Sequence, residues 1–290
     1  MNGQRILVTG ATGFVGQRVC SQLENLGAVV IKTSRAPSSE PNTFQVQALG
    51  PHAEWREALQ GCTSVVHLAA RVHVMNENAV DPLFDFRQAN TEGTLQLARQ
   101  AVQCGVKRMV FISSIKVNGE AGEFTASSIP NPIDPYGISK YEAEQQLLEL
   151  SRQSGLEVVI LRPPLVYGPG VGANFLKLLS VVARGTPLPL GAVNNQRSLV
   201  GLDNLVDLIV VCLHHPAAAN QTFLVSDGQD ISTAELVQGI AQAAGVKARL
   251  LPVPVWALQA GASLLGKGAA VQRLCGNLQV DISKARTLLG

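Results

Sequence analysis

Short apolar runs separated by helix-patterned stretches recur along the first half of the chain. Arg5-Ile6-Leu7-Val8-Thr9 is one such run and reads as a buried strand. A helical pattern through Val19, Leu23 and Leu26 follows it and stops at Gly27. The same reading predicts strands over 28–33, 44–49, 64–68, 108–112 and 157–161, and helices over 55–59, 82–104 and 136–154. So regular an alternation argues for an α/β fold built on a parallel, doubly wound sheet. Beyond about residue 165 the rhythm becomes irregular. Helices are expected over 174–183, 203–214, 232–244 and 255–265, a strand over 222–225, and a Pro/Gly loop over 185–191. The expected organisation is a sheet domain over 1–165 and a smaller α/β lobe over 166–290, with some segments of the latter returning to the sheet.

Composition narrows the class. At 290 residues, with 46% apolar and 15% charged positions, the chain can bury a large core. A net charge of +2 with no basic stripe does not suggest a nucleic-acid partner. The apolar segment 255–266 is far too short for a membrane span, and the N-terminus leads into a strand without signal-peptide design. Five dispersed cysteines suggest neither a metal site nor a redox pair. A cytoplasmic protein without a membrane partner is expected.

Candidate chemistry begins at Gly10-Ala11-Thr12-Gly13-Phe14-Val15-Gly16, between the first strand and the first helix. There the glycines permit a tight turn and close backbone approach, and a helix N-terminus can hold a pyrophosphate. The turn makes residues 1–165 a Rossmann dinucleotide-binding domain and 166–290 mostly a substrate lobe. The second strand ends in Ser34-Arg35, where an acid would favour NAD; a hydroxyl and a cation modestly favour NADP. Small residues Ala69-Ala70 end the fourth strand after Leu68, leaving room for a cofactor. His67, with no acidic partner in the sequence around it, reads as a satisfied core histidine. The polar stretch 71–81 is expected to cover the cleft. Ser113-Ser114 closes the fifth strand at the same sheet edge.

Tyr136-Gly137-Ile138-Ser139-Lys140 opens a helix after a Pro-rich run. Residues four apart share a face, so Lys140 lies one turn from Tyr136. A tyrosine with a pKa of about 10 is a poor base, and an ammonium beside it is expected to favour the phenolate.

These motifs, in this order, resemble the extended short-chain dehydrogenase/reductases: Thr9 to Gly16, His67 to Ala70, Asn90, Ser113-Ser114 and Tyr136 to Lys140. Within them the chain is similar to the nucleotide-sugar epimerase/dehydratase group typified by UDP-galactose 4-epimerase. The likeness continues through 162–168, Asn174-Phe175, Arg197, Asp203 and 281–289. Ala70 to Asn76 and Ile112 to Glu120 look like bacterial enzymes of UDP-N-acetylhexosamine metabolism, including a 4-keto reductase. That placement implies nucleotide-sugar metabolism serving cell-surface polysaccharide.

The resemblance implies roles residue by residue. Ser114, Tyr136 and Lys140 match the catalytic positions. Gly10, Thr12, Gly13, Phe14, Val15, Ser34, Arg35, Leu49, Leu68, Ala69, Ala70, Asn90, Ser113 and Pro163, with Tyr136 and Lys140, match positions that hold NADP or NAD. Arg71, Lys116, Asn174, Leu190, Arg197 and Arg273 fall at substrate positions, Arg197 and Arg273 as phosphate cations. Ile115-Lys116 stands where 4,6-dehydratases carry an Asp-Glu pair, which argues against dehydration. Asn118, Leu165 and Ala48 also depart from the group's pattern, and the chain stops at Gly290 where relatives continue. A homodimer through the 82–104 and 136–154 helices is implied. A UDP-sugar 4-keto reductase is placed slightly ahead of a 4-epimerase, and a non-catalytic NADP-sensing regulator stands as the reading of another class.

Overall fold

Side chains of the central strands alternate between two covered faces, and that alternation builds the sheet. On β1 (Arg5–Thr9), Ile6 and Val8 enter one apolar cluster and Leu7 the other. The computed structural model describes residues 1–46, 48–72, 81–264, 266 and 268–290. Most of the expected cleft-covering stretch 71–81, with the motif residues His73, Val74, Met75 and Asn76, lies outside the described residues.

After β1 come α1 (Phe14–Asn25), β2 (Val29–Ser34), β3 (Thr43–Gln45), α2 (Arg56–Leu59) and β4 (Ser64–His67). Helix α3 (Pro82–Phe86) runs through a π-helical segment, Arg87–Glu92, into α4 (Gly93–Gln103), and β5 (Arg108–Ile112) follows. Next are β6 (Gly122–Phe124), α5 (Pro135–Ser154), β7 (Glu157–Arg162), β8 (Leu165–Tyr167), α6 (Ala173–Ala183), β9 (Arg197–Gly201) and α7 (Leu202–His214). The chain closes with β10 (Thr222–Leu224), β11 (Asp230–Ile231), α8 (Thr233–Ala243), α9 (Val255–Leu264), α10 (Gly268–Cys275), β12 (Leu278–Val280) and α11 (Ser283–Leu289).

Seven parallel strands form one sheet in the order β10-β7-β5-β4-β1-β2-β3. This is the doubly wound Rossmann arrangement, and its direction reverses between β1 and β4. One face is covered by α1 and α7 through Val19, Leu23, Leu205 and Ile209; the other is covered by α2, α4 and α5 through Leu59, Leu97, Ala143 and Leu147. The strand at 222–225 reads from sequence as part of the small lobe, but it pairs with β7 as the seventh strand. Strand β3 is shorter than the expected 44–49, because its partner β2 ends at Ser34.

A second sheet orders β11-β9-β12-β6, with β8 beside β9. Its strands are two to five residues long, too short for periodicity to announce them. Helices α6 and α8 pack against each other around Phe175, Val182, Leu190, Val193, Val237 and Ile240. The result is a lobe beside the carboxyl edge of the large sheet.

Candidate active site

The carboxyl ends of β1, β4, β5 and β7 converge on one mouth, and the glycine turn forms its floor. Gly10 has φ +68°, and a Cβ there would lie 2.9 Å from the Ala69 nitrogen. At Gly16 a Cβ would come 2.1 Å from the Gly10 carbonyl oxygen, so only glycine allows α1 to start this close to β1. Gly13 caps α1 without a side chain, and the first turn holds no acid. Its backbone N–H groups and the helix dipole therefore suit a pyrophosphate. Phe14 and Val15 are half-buried and Thr12 is exposed. Thr9 Oγ1 accepts from the Ala69 nitrogen at 3.1 Å and meets His67 Nδ1 at 2.6 Å, while His67 Nε2 meets Thr94 Oγ1 at 2.9 Å. Burial, with help from Lys140, pushes His67 down to about 3, so it is neutral, and both of its ring nitrogens are bonded.

At the end of β2, Ser34 is half-buried and Arg35 exposed, with the Arg35 carbonyl accepting from Gln45 Nε2 at 3.0 Å. Leu49 packs partly buried against the cluster under α4, and Leu68 against the opposite face. Ala69 and Ala70 stay half-exposed at the mouth. Pro163 is buried, and its carbonyl accepts from the Ile115 nitrogen at 3.0 Å, tying the end of β7 to the turn after Ser114.

Tyr136 is in the first turn of α5, capped by Asp134 and begun by Pro135. Ser114 stands beside its hydroxyl and favours the phenolate. Lys140, one turn on, is 1% exposed; its Nζ donates to the Ile112 carbonyl at 2.8 Å and lies 4.3 Å from the centre of the Phe111 ring. The expected lowering of Tyr136 is not what the structure shows. Burial and then Asp134 push it up to about 12, against a smaller opposing effect of the Ser114 hydrogen bond. Lys140 is itself pushed down to about 7 by burial, so the cost of desolvating it outweighs any gain to its neighbour.

Ser113 and Ser114 part company. Ser113 is buried and its hydroxyl donates to Glu144 Oε1 at 2.5 Å, so its side chain turns into the core. Glu144 is in turn bound by Arg162 through Nε at 3.0 Å and Nη2 at 2.5 Å, and Arg162 Nη1 donates to Asn118 Oδ1 at 3.0 Å. This buried network was not foreseen. Its signal is Glu144 recurring four residues after Lys140 on the same helix face.

Asn90 sits on the π-helical segment, a wider turn often found at functional sites. Its Oδ1 accepts from the Arg71 nitrogen at 2.8 Å; its Nδ2 donates to the Arg71 carbonyl and to Ser139 Oγ, both at 3.0 Å. Ser139 Oγ donates to the Tyr136 carbonyl at 2.8 Å. Asn90 thus fastens the strand-end loop to the Tyr136 turn. The Arg71 guanidinium pairs with Asp85 at 3.3 Å and lies 5.5 Å from the centre of the Phe86 ring, whose edge meets Tyr136 at 6.1 Å.

The small lobe brings some expected substrate residues to this mouth and not others. A Cβ on Gly170 would lie 3.7 Å from Phe14, so the loop before α6 overhangs the start of α1. Asn174 is exposed in the first turn of α6. Leu190 is buried, with its side chain in the lobe core. Arg197 Nη1 donates to the carbonyls of Arg273 (2.7 Å) and Gly276 (3.1 Å), and burial lowers its pKa. Arg273 therefore meets Arg197 through its backbone, while its own side chain is exposed. Lys116 pairs with Asp134 and Glu120.

A family model described as NAD dependent epimerase/dehydratase matches residues 6–226. The chain is 47% identical to a UDP-glucose 4-epimerase of Vibrio cholerae, over 98% of this chain and 89% of that protein. It is 27% identical to an N-acetyl-alpha-D-glucosaminyl-diphospho-ditrans,octacis-undecaprenol 4-epimerase of Escherichia coli O157:H7, over 97% and 88%. The fold matches the crystal structure of a UDP-glucose 4-epimerase with UDP-glucose from Thermotoga maritima, with TM-score 0.76, 24% identity and 99% and 93% coverage.

Proposed function

The chain belongs to the NAD dependent epimerase/dehydratase family, and on that premise we propose that it is a UDP-sugar 4-epimerase. The observation that carries the chemistry is the convergence of Ser114, beside the Tyr136 hydroxyl, with Lys140 one turn along α5, at a mouth floored by an α1 N-terminus free of side-chain caps. Bound NAD or NADP would supply a hydride acceptor at the sugar's C4 and give the hydride back. Tyr136 Oη takes the proton of the C4 hydroxyl in one half-reaction and returns it to the C4 ketone oxygen in the other. Ser114 holds that oxygen in line with Tyr136. Lys140, with one of its protons on the Ile112 carbonyl, has further donors to offer a cofactor ribose. Its ammonium and the charge of an oxidised nicotinamide are the influences available to bring Tyr136 down from about 12. Asn174 and Arg197 are the proposed diphosphate contacts.

Sequence alone places a 4-keto reductase slightly ahead; the 47% identity to a UDP-glucose 4-epimerase moves the preference to the epimerase. The reductase stays as the second reading because β2 ends in Ser34-Arg35 with no carboxylate, which suits a dissociable NADPH. Purified protein mixed with UDP-glucose or UDP-N-acetylglucosamine, without added reductant, is expected to equilibrate the sugar with its 4-epimer. Turnover of a 4-keto sugar only when NADPH is added would overturn the epimerase. A homodimer through the outer faces of α4 and α5 belongs to the same proposal, with light scattering at twice the chain mass as its expected signature.

A further inference from the structure

Three charges stand beside the Ser114–Tyr136 pair without themselves carrying its proton. Lys116 lies on a single helical turn, Ile115–Val117, two residues after Ser114; its ammonium pairs with Asp134 and, at 3.3 Å, with Glu120. Asp134 stands two residues before Tyr136 and divides its oxygens. Oδ2 takes Lys116, and Oδ1 accepts from the Gly137 nitrogen at 2.7 Å as the cap of α5. The two turns also meet through backbone, since a Cβ on Gly137 would come 2.8 Å from the Lys116 carbonyl oxygen. The side chains of Lys116, Asp134 and Glu120 are 25%, 15% and 32% exposed, so water screens them poorly. Together they carry one net negative charge.

We propose that Asp134 is a specificity-determining residue that withholds Lys116 from substrate, so that the site takes a nucleotide sugar with an uncharged hexose and rejects a hexuronate. The inference rests on the nucleotide-sugar reading above. A lysine two residues from Ser114 would be the natural counterion for a sugar carboxylate. Here two carboxylates already hold it. Asp134 cannot swing aside without uncapping the turn that carries Tyr136. The buried cations nearby are engaged too: Lys140 on the Ile112 carbonyl, Arg162 on Glu144. An incoming carboxylate would therefore have to compete with Asp134 and Glu120 for Lys116, and such competition is a means of excluding wrong partners.

The test compares UDP-glucose with UDP-glucuronate, and UDP alone, by calorimetric binding to the NAD-loaded protein. Wild type is expected to prefer the hexose by roughly tenfold or more. Asn caps helices as well as Asp does, so Asp134→Asn keeps α5 begun while removing one of the carboxylates that hold Lys116. It should narrow the preference by about tenfold through tighter hexuronate binding, and Glu120→Gln by less. Adding Lys116→Met to Asp134→Asn should abolish that gain, which a merely structural role for Asp134 does not predict. Equal affinity for the two sugars in wild type, or a ratio unmoved in both single variants, overturns the selectivity while leaving the nucleotide-sugar reading intact. Failure to bind UDP at all overturns both.

Discussion

The sheet domain and the small lobe differ in how tightly they are packed. Around the large sheet, buried charges are strapped across elements. Arg162 joins β7 to α5 through Glu144, and Arg108 joins β5 to the Cys212 and His215 carbonyls at the end of α7. The lobe has a small core and leaves large apolar side chains in the open, Trp256 at 72% and Leu264 at 89% exposure on α9. Between α6 and α8 it also holds an apolar cleft of about 530 Å³. The proposed proton transfer thus lies in the half whose buried charges are strapped between elements, and the proposed recognition beside the half whose packing is looser.

That contrast can be broken at four points. Tyr136→Phe should lower kcat by about 10²–10⁴ while the glycine turn still binds cofactor, measured by turnover beside fluorescence titration. Unchanged turnover would remove the site from the rigid half altogether. Glu144→Ala leaves the Arg162 guanidinium buried and unpaired, and should cost about 3–5 kcal/mol of unfolding free energy in urea.

A smaller effect is the pH dependence set by Lys140, held down to about 7 from an ordinary 10.5. Between those values the unfolded chain holds a proton that the folded chain does not, so this group's contribution to stability rises with pH across the window and levels off below it. Lys140→Met should flatten that rise in unfolding curves taken between pH 7 and 10. Least of all, Trp256→Ser in the lobe should move stability by no more than about 0.5 kcal/mol, since an exposed side chain gives up little on removal. A larger loss would mean that the lobe is tied as tightly as the sheet.

The same contrast explains what could be read from sequence. Strands of four to six residues with both faces buried, such as Ser64–His67 and Glu157–Arg162, write continuous apolar runs, and the glycine turn and the Tyr136–Lys140 spacing are local patterns. The two- and three-residue strands β8 and β11 carry no period, and the seventh strand is distant in sequence from the β7 edge it joins. Within the candidate site, sequence can nominate residues but cannot orient them. Ser113 and Ser114 are adjacent, yet strand alternation sends one to Glu144 and the other to Tyr136. Asp134 was hidden in a Pro-rich run, although an Asp before a Pro at a helix start is the usual cap signal.

The place of β10 has a consequence for how the protein is made. Its partner β7 ends at Arg162, and the strand that covers that edge does not begin until Thr222. At roughly 5–20 residues per second, a ribosome takes several seconds to add the interval, with a hydrophobic strand edge open on the nascent chain. An exposed edge is a template for pairing with another chain. Release from the ribosome before Thr222–Leu224 has docked would leave a six-stranded sheet ready to pair with its neighbours, and a chaperone that shields β7 during that interval would raise the yield of folded protein.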